Sequence, residues 1–373
     1  LRSGRYRRDE VALGLSQTAG QCQASSYLAL LKRGLHSAGY SDIPVVGISL
    51  TAGDQHYQPG FKFSKIRLIT ITIPKIMISD CLARLYYSTA IREKHKGESR
   101  RLVERFFQRA ETITGPGSLW RTYRLIRAAV KAFNAVEVRD GEYPPVAIVG
   151  EIYVKYNSFG NYGIAEWLME QGFEVISPPI GEFFAQEGLN LRVNRREGLV
   201  APGRVRAALH RLVYALINAC LHRAAKHMRR FKRYRPFHSV DHLASRAERA
   251  CSLVNQFGEG WLIPGEIAAF AEDGVPNVIC AQPFGCIANH IVGRGLEKRL
   301  KELYPDLNLL YLDFDSGTSE VNVTNRLHFF ARNARESMRG GPPESNGHPP
   351  TASTNGRQRQ TNGQAQELVA EVV

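Results

Sequence analysis

Two of the six cysteines, Cys22 and Cys286, stand where a thiol can do chemistry. Cys22 follows Gln17-Thr18-Ala19-Gly20-Gln21 and opens a helical pattern. Cys286 follows Ala281-Gln282-Pro283-Phe284-Gly285, just past a strand-like run. Both therefore fall at strand ends near helix N-termini, the edge where ligands gather in open α/β sheets. Free backbone N–H groups and the helix dipole favour a thiolate there, and a thiolate is what iron requires. Gly20 and Gly285 let the backbone approach closely. Most of the chain separates the two cysteines and no local CxxC links them, so a shared site must be built by folding. On spacing alone, a buried inert thiol is the commoner reading for either residue. Cys280 lies inside a strand pattern and reads as core, and Cys81, Cys220 and Cys251 read as buried in helices.

Other residues share that sheet edge. Glu151, Tyr153, Asn157 and Asn161 follow a buried strand. They read either as substrate or cluster-loop contacts or as turn and capping residues. His290 reads as a donor or an acid, or, with Asn289, as a cap for the following helix. Asp313 and Asp315 could pair for acid/base work, or feed the turn Ser316-Gly317-Thr318-Ser319 into an N-capped helix. The run Lys226-His227-Met228-Arg229-Arg230-Phe231-Lys232-Arg233-Tyr234-Arg235 is the densest basic cluster. Its first reading is a solvated helix face, with a CoA-phosphate or partner-protein contact next. No helix-turn-helix, RRM or zinc-finger signature supports nucleic acid, and no Walker A motif or GxGxxG after a strand appears.

Alternating elements must position these residues. Val11–Ser16 reads as a strand, Cys22–Ala38 as a helix, and Val45–Leu50 as the next strand. Helices are expected at Met77–Ile91, Ser99–Ile113 and Leu119–Glu137, with Asp80, Arg84 and Arg92 on polar faces. A turn-rich break at Asp140–Pro145 suggests a boundary. A second β–α–β unit follows: strand Val146–Val149, loop Asn157–Tyr162, helix Gly163–Gln171, strand Glu174–Ser177. Then come a helical region from about Val205 to Phe257, strand Asn277–Ala281, helix Ile291–Leu303, strand Asn308–Asp313 and helix Ser319–Asn333. This pattern predicts an α/β protein of two Rossmann-like domains, 1–140 and 141–335, with parallel sheets and a helical insertion. Residues 336–373 turn Gly-, Pro-, Ser-, Asn- and Gln-rich and read as a disordered tail.

The chain has 373 residues, 43% of them hydrophobic, enough for two cores. Its formal net charge is +14, which favours anionic partners without choosing among them. With no apolar leader and no apolar run of transmembrane length, the expectation is a cytoplasmic protein without a disulfide framework. The start at Leu1 suggests a piece of a longer chain.

Four strings resemble one known family. They are Ser16–Tyr27 around Cys22, Val149-Gly150-Glu151-Ile152-Tyr153-Val154 with Asn157, Gln282–His290 around Cys286, and Asp313–Asn322. In this order they are similar to the 2-hydroxyacyl-CoA dehydratase subunits and the carboxy-terminal part of acyl-CoA dehydratase activase-like proteins. The similarity spans about Ser3 to Arg335. Ala19 stands where the family has a second Gly, and Ala288 where it usually has Pro. The resemblance implies a [4Fe-4S] cluster held by three cysteines, with Cys22 and Cys286 at two of the positions and the third upstream of Leu1. It implies radical dehydration of a CoA thioester, or a related reductive reaction, as a lyase or a reductase component. It also implies an ATP-dependent activator domain or protein as electron donor, and a second cluster-bearing subunit. A non-catalytic electron-relay or regulatory module is the alternative; a membrane is not expected and nucleic acid is disfavoured.

Overall fold

The structure is a computed structural model that describes residues 4, 6–16, 24–48, 64–201, 203–315 and 317–338. It is an α/β protein with two sheets, each entirely parallel.

The larger sheet is made by β3 (Pro145–Gly150), β4 (Glu174–Ile176), β5 (Asn277–Pro283) and β6 (Asn308–Phe314), in the order β4-β3-β5-β6. β3 and β5 are its inner strands and are buried almost throughout. This explains their near-continuous apolar runs, since a parallel strand covered on both faces needs no polar alternation. Alternate residues still divide between two cores. Val146, Ile148, Ile279 and Leu312 face α6 (Ile164–Glu170) and α12 (Glu320–Met338). Ala147, Val149, Val278, Cys280 and Tyr311 face α10 (Leu262–Glu272).

The smaller sheet pairs β1 (Leu13–Ser16) with β2 (Val45–Ile48), joined through α1 (Ala24–Ser37). A helical layer follows: α2 (Lys65–Ala90), α3 (Glu98–Glu111) and α4 (Ser118–Asn134). These close with α8 (Arg204–Met228) around Met77, Leu82, Phe106, Ile126, Phe133 and Met228. The packing therefore runs across the expected division at residue 140. Of the tail, residues 336–338 belong to α12, and 339–373 lie outside the described residues.

Several boundaries differ from expectation for physical reasons. α2 begins at Lys65 rather than Met77 and carries Pro74 inside it, where a proline ordinarily signals a helix start or break. Asp80 and Arg84 do not lie on a polar face: α2 is packed against α3, α4, α7 (Ile180–Arg196), α8 and β4, and Arg84 is 7% exposed. The single helical region expected at 205–257 is α8, a non-helical stretch, then α9 (Val240–Ala247). α7 and α10 were not expected as helices. Nine of the eleven residues of α10 are buried, so it has no polar stripe to mark its period. The chain between β5 and β6 is a π-helical turn Ala288–Gly293, a 3₁₀ turn Arg294–Leu296 and α11 (Glu297–Leu303), not one helix.

Candidate functional site at the C-terminal edge of the sheet

The ends of β3 and β5 meet closely. Gly150 ends β3 at φ +116°, and a Cβ there would sit 2.1 Å from the Ala281 carbonyl oxygen. The next amide, Glu151 N–H, donates to that same oxygen at 3.0 Å. The chain then turns into the short helix α5 (Ile152–Tyr156). On β5, Phe284 N–H donates to Phe314 O at 3.0 Å, Gly285 takes φ +80°, and Cys286 follows.

Cys286 is fully buried. Its sulfur accepts from Asn289 Nδ2 at 3.1 Å, and Asn289 Oδ1 faces the Cys280 thiol at 4.0 Å. One buried amide thus joins the two cysteines. Cys280 itself is a core residue as expected, and burial pushes its thiol well above the ordinary value. His290 lies inside the π-helical turn, its ring held between Cys286 O (Nδ1, 3.0 Å) and Asp313 (Nε2, 3.3 Å). The capping reading of His290 is therefore corrected: it caps no helix, and with Asn289 it wraps the Cys286 segment. Cys22, with the whole of 17–23, lies outside the described residues. Tyr27 on the first turn of α1 is described, and its ring centroid is 5.4 Å from that of Tyr153 on α5. The helix following the Cys22 motif therefore reaches the same edge.

The remaining candidates have assignable contacts. Glu151 is the N-cap of α5 and accepts from Val154 N–H at 2.8 Å. Asn157 Oδ1 accepts from Gly160 N–H at 3.1 Å, and Asn161 Oδ1 from Gly163 and Ile164 N–H at the start of α6. These are the turn and capping roles. Asp313 and Asp315 do not pair. Asp313 receives Gln282, His290 and Arg294, while Asp315 accepts from Gly317 N–H (2.6 Å) and Thr318 Oγ1 (3.1 Å) in a local turn.

No known family, curated protein or solved structure matches the chain. Its own geometry has to carry the functional argument.

That geometry contains a group of buried ionisable residues behind the edge. Glu259 Oε1 accepts from Ile152 N–H at 2.9 Å, so Glu151 and Glu259 both serve the first turn of α5. Lys155, on the same helix, meets Glu266 of α10 at 3.5 Å. Glu182 of α7 is buried beside them, and Asp80 of α2 accepts from Ile180 N–H (2.8 Å) and Gly181 N–H (3.0 Å). Burial raises Glu151 to about 7, with the neighbouring charge of Glu259 adding to it. Burial likewise raises Glu266 and Asp80 to about 7, and Glu182 well above the carboxylate range. Of these, the sequence reading had singled out only Glu151 as a site residue. The available signal was a lone charge in an apolar string: Glu266 within Leu262–Phe270, and Lys155 within Ile152–Tyr156.

The basic run is not a solvated helix face throughout. α8 ends at Met228, and Met228 and Phe231 are buried. Arg233 donates to Thr89 Oγ1 at 3.2 Å, and Arg235 joins Arg92 on the buried Glu174. Lys226, Arg229, Arg230 and Lys232 remain exposed. No described helix is long and apolar enough to cross a membrane. Among the described residues no group of three or more His, Cys, Asp or Glu is gathered to hold a metal ion.

Proposed function

We propose that this chain is an iron–sulfur component resembling the 2-hydroxyacyl-CoA dehydratase subunits. In this reading it has two Rossmann-like units, the first represented by β1, α1 and β2, with Cys22 and Cys286 as thiolate ligands and a third cysteine ahead of Leu1. The observation that carries it is the setting of Cys286. A fully buried sulfur ends a strand of a parallel sheet and accepts an N–H bond from Asn289. An amide N–H donor of this kind tunes a metal–sulfur centre. A Cβ at Gly285 would meet nothing within 4 Å, so the backbone leading into Cys286 is open on that side. Cys286 therefore fits a cluster ligand.

When bound, a [4Fe-4S] group supplies one-electron chemistry at this edge. The chain's own residues hold and surround it. Asn289 orients the Cys286 sulfur, and His290 and Asp313 brace its loop. Tyr153 and Tyr27 bring the two units together. The reaction in this reading is dehydration or reduction of a CoA thioester, with electrons from an ATP-dependent activator. The second reading, an electron relay without its own substrate, rests on the full burial of Cys286.

The test is anaerobic iron and acid-labile sulfide analysis of a chain extended upstream of Leu1. Iron and sulfide are expected, with a visible thiolate-to-iron band that Cys22→Ala and Cys286→Ala each abolish and Cys280→Ala keeps. A protein that folds but takes up less than about one iron per chain overturns the reading. A CoA thioester that changes the spectrum of the loaded protein favours the enzyme over the relay.

A further inference from the structure

The carboxyl groups behind the edge outnumber their cations. Glu151, Glu182, Glu259 and Glu266 are each at most 4% exposed, against only Lys155 and Arg84 at 8% and 7%. Asp80 adds a fifth carboxyl, partly buried and satisfied by the amides of α7. Among the described residues, one oxygen of each of the four glutamates has no hydrogen-bond partner: Glu151 Oε1, Glu182 Oε1, Glu259 Oε2 and Glu266 Oε2. An unpaired carboxylate inside a protein costs far more than a neutral acid, so such a group takes up a proton instead. A metal ion is the other way to neutralise it, but among the described residues no coordinating group of three or more is gathered.

The cations are already engaged. Lys155 meets Glu266, and Arg84 is placed to act on Glu182 while donating to Ser177 O. Glu174, buried on β4, has Arg92 and Arg235. Tyr156 donates to Pro178 O and offers no proton to the acids. Glu151 and Glu259 are left together on the first turn of α5, each with one oxygen on a backbone N–H and, among the described residues, one oxygen without a partner. On the other side, the charges of Glu259, Glu266, Lys155 and Asp313 all reach Cys280, which Asn289 links to Cys286.

We propose that Glu151 and Glu259 share one exchangeable proton, and that this pair supplies it to the reduction carried out at the sheet edge. This deepens the function proposed above and rests on it for the second half. In the step, an acceptor at the edge gains one electron from a one-electron donor and one proton from the pair. The O–H bond of the pair breaks, leaving both carboxyls ionised, and water restores the proton later. Lys155 steadies the doubly ionised state from the next turn of the same helix.

Infrared spectroscopy of the full chain, with the glutamate carboxyls ¹³C-labelled, tests the first half without any cluster. A protonated-carboxyl stretch is expected at neutral pH, titrating away as pH rises. Glu151→Gln and Glu259→Gln should each remove the same component of that band, because one proton serves both, while the components of Glu182 and Glu266 stay. The absence of the band at neutral pH in the unmodified protein, or no component lost in common by the two variants, overturns the proposal. ¹³C carboxyl shifts of the unmodified protein give the same answer should either variant fail to fold. The second half is read on the iron-loaded chain. Its midpoint potential should fall by about 59 mV for each tenfold drop in proton activity near neutrality, and Glu151→Gln should flatten that slope. A potential independent of pH, despite the band, overturns proton supply to the edge. A chain that takes up no iron yet shows the band removes the iron–sulfur reading and leaves the shared proton standing.

Discussion

At the scale of single residues, the carboxyl group of Glu151 carries the clearest consequence. Its folded value is raised from 4.5 to about 7, first by burial and then by Glu259. A raised acid means that the folded state holds a proton which the unfolded chain has already released. Below about pH 4.5 both states are protonated and the group contributes nothing. As pH climbs through the window up to about 7, the unfolded state is favoured, so stability falls with rising pH. Glu266 and Asp80 act in the same direction and over the same window. Unfolding in urea should therefore show lower stability at pH 8 than at pH 5. Glu151→Gln should recover on the order of 2 kcal/mol of the difference. A profile that is flat or rising between those values would contradict the buried-acid description. Asn289 shows a different lesson. Its type and position say nothing of a link, and its contacts make it the link between Cys280 and Cys286. Which partner a buried amide finds depends on the π-helical turn that carries it, and that turn leaves no periodic mark in the sequence.

At the scale of elements, the junction of β3 and β5 decides what the edge can hold. Gly150 and Gly285 both have positive φ, but for different reasons. At Gly150 a Cβ would collide with the backbone of Ala281, whereas at Gly285 it would meet nothing. Gly150→Ala should cost more than about 3 kcal/mol, because neither strand can move without breaking the ladder. Gly285→Ala should cost about 1 kcal/mol, the ordinary penalty of the left-handed region. Thermal melts of the two variants check this, and equal losses would mean that the strands are not in close contact there. The strands were legible because their apolar runs are bounded by Gly and Pro. α10 was not legible, because burial on every side erases a helix's polar stripe, and the start of α2 was hidden by Pro74.

At the scale of the whole molecule, the positive charge is unevenly placed. α4 and α8 pack together and contain no Asp or Glu between them. His227 is lowered first by burial and then by Arg127, Arg223, Arg230 and Lys226 around it. Repulsion across this face is only partly relieved by Arg124 over Trp120 and Arg223 over Tyr123. Added salt screens such exposed charges. The unfolding temperature should therefore rise as NaCl increases from about 20 to about 200 mM, over which the screening length shortens several-fold. A surface dominated by favourable ion pairs would show the opposite trend. The sequence reported the excess charge, and folding determined where it collects.

The sequence by itself determined the α/β class, the parallel strands and the placement of Cys286 just past a strand end. Each of these is a local property: apolar runs, turn residues and the order of elements are written in neighbouring positions. It also marked Glu151 as a candidate following a buried strand, without saying what it faces. Only the tertiary structure decided that Glu151, Lys155, Glu182, Glu259 and Glu266 share one buried region, and that Arg233 and Arg235 turn inward while Arg230 does not. These side chains come from elements far apart in the chain. Their meeting depends on how α2, α5, α7 and α10 close over the sheet, and no spacing along the sequence encodes that closure.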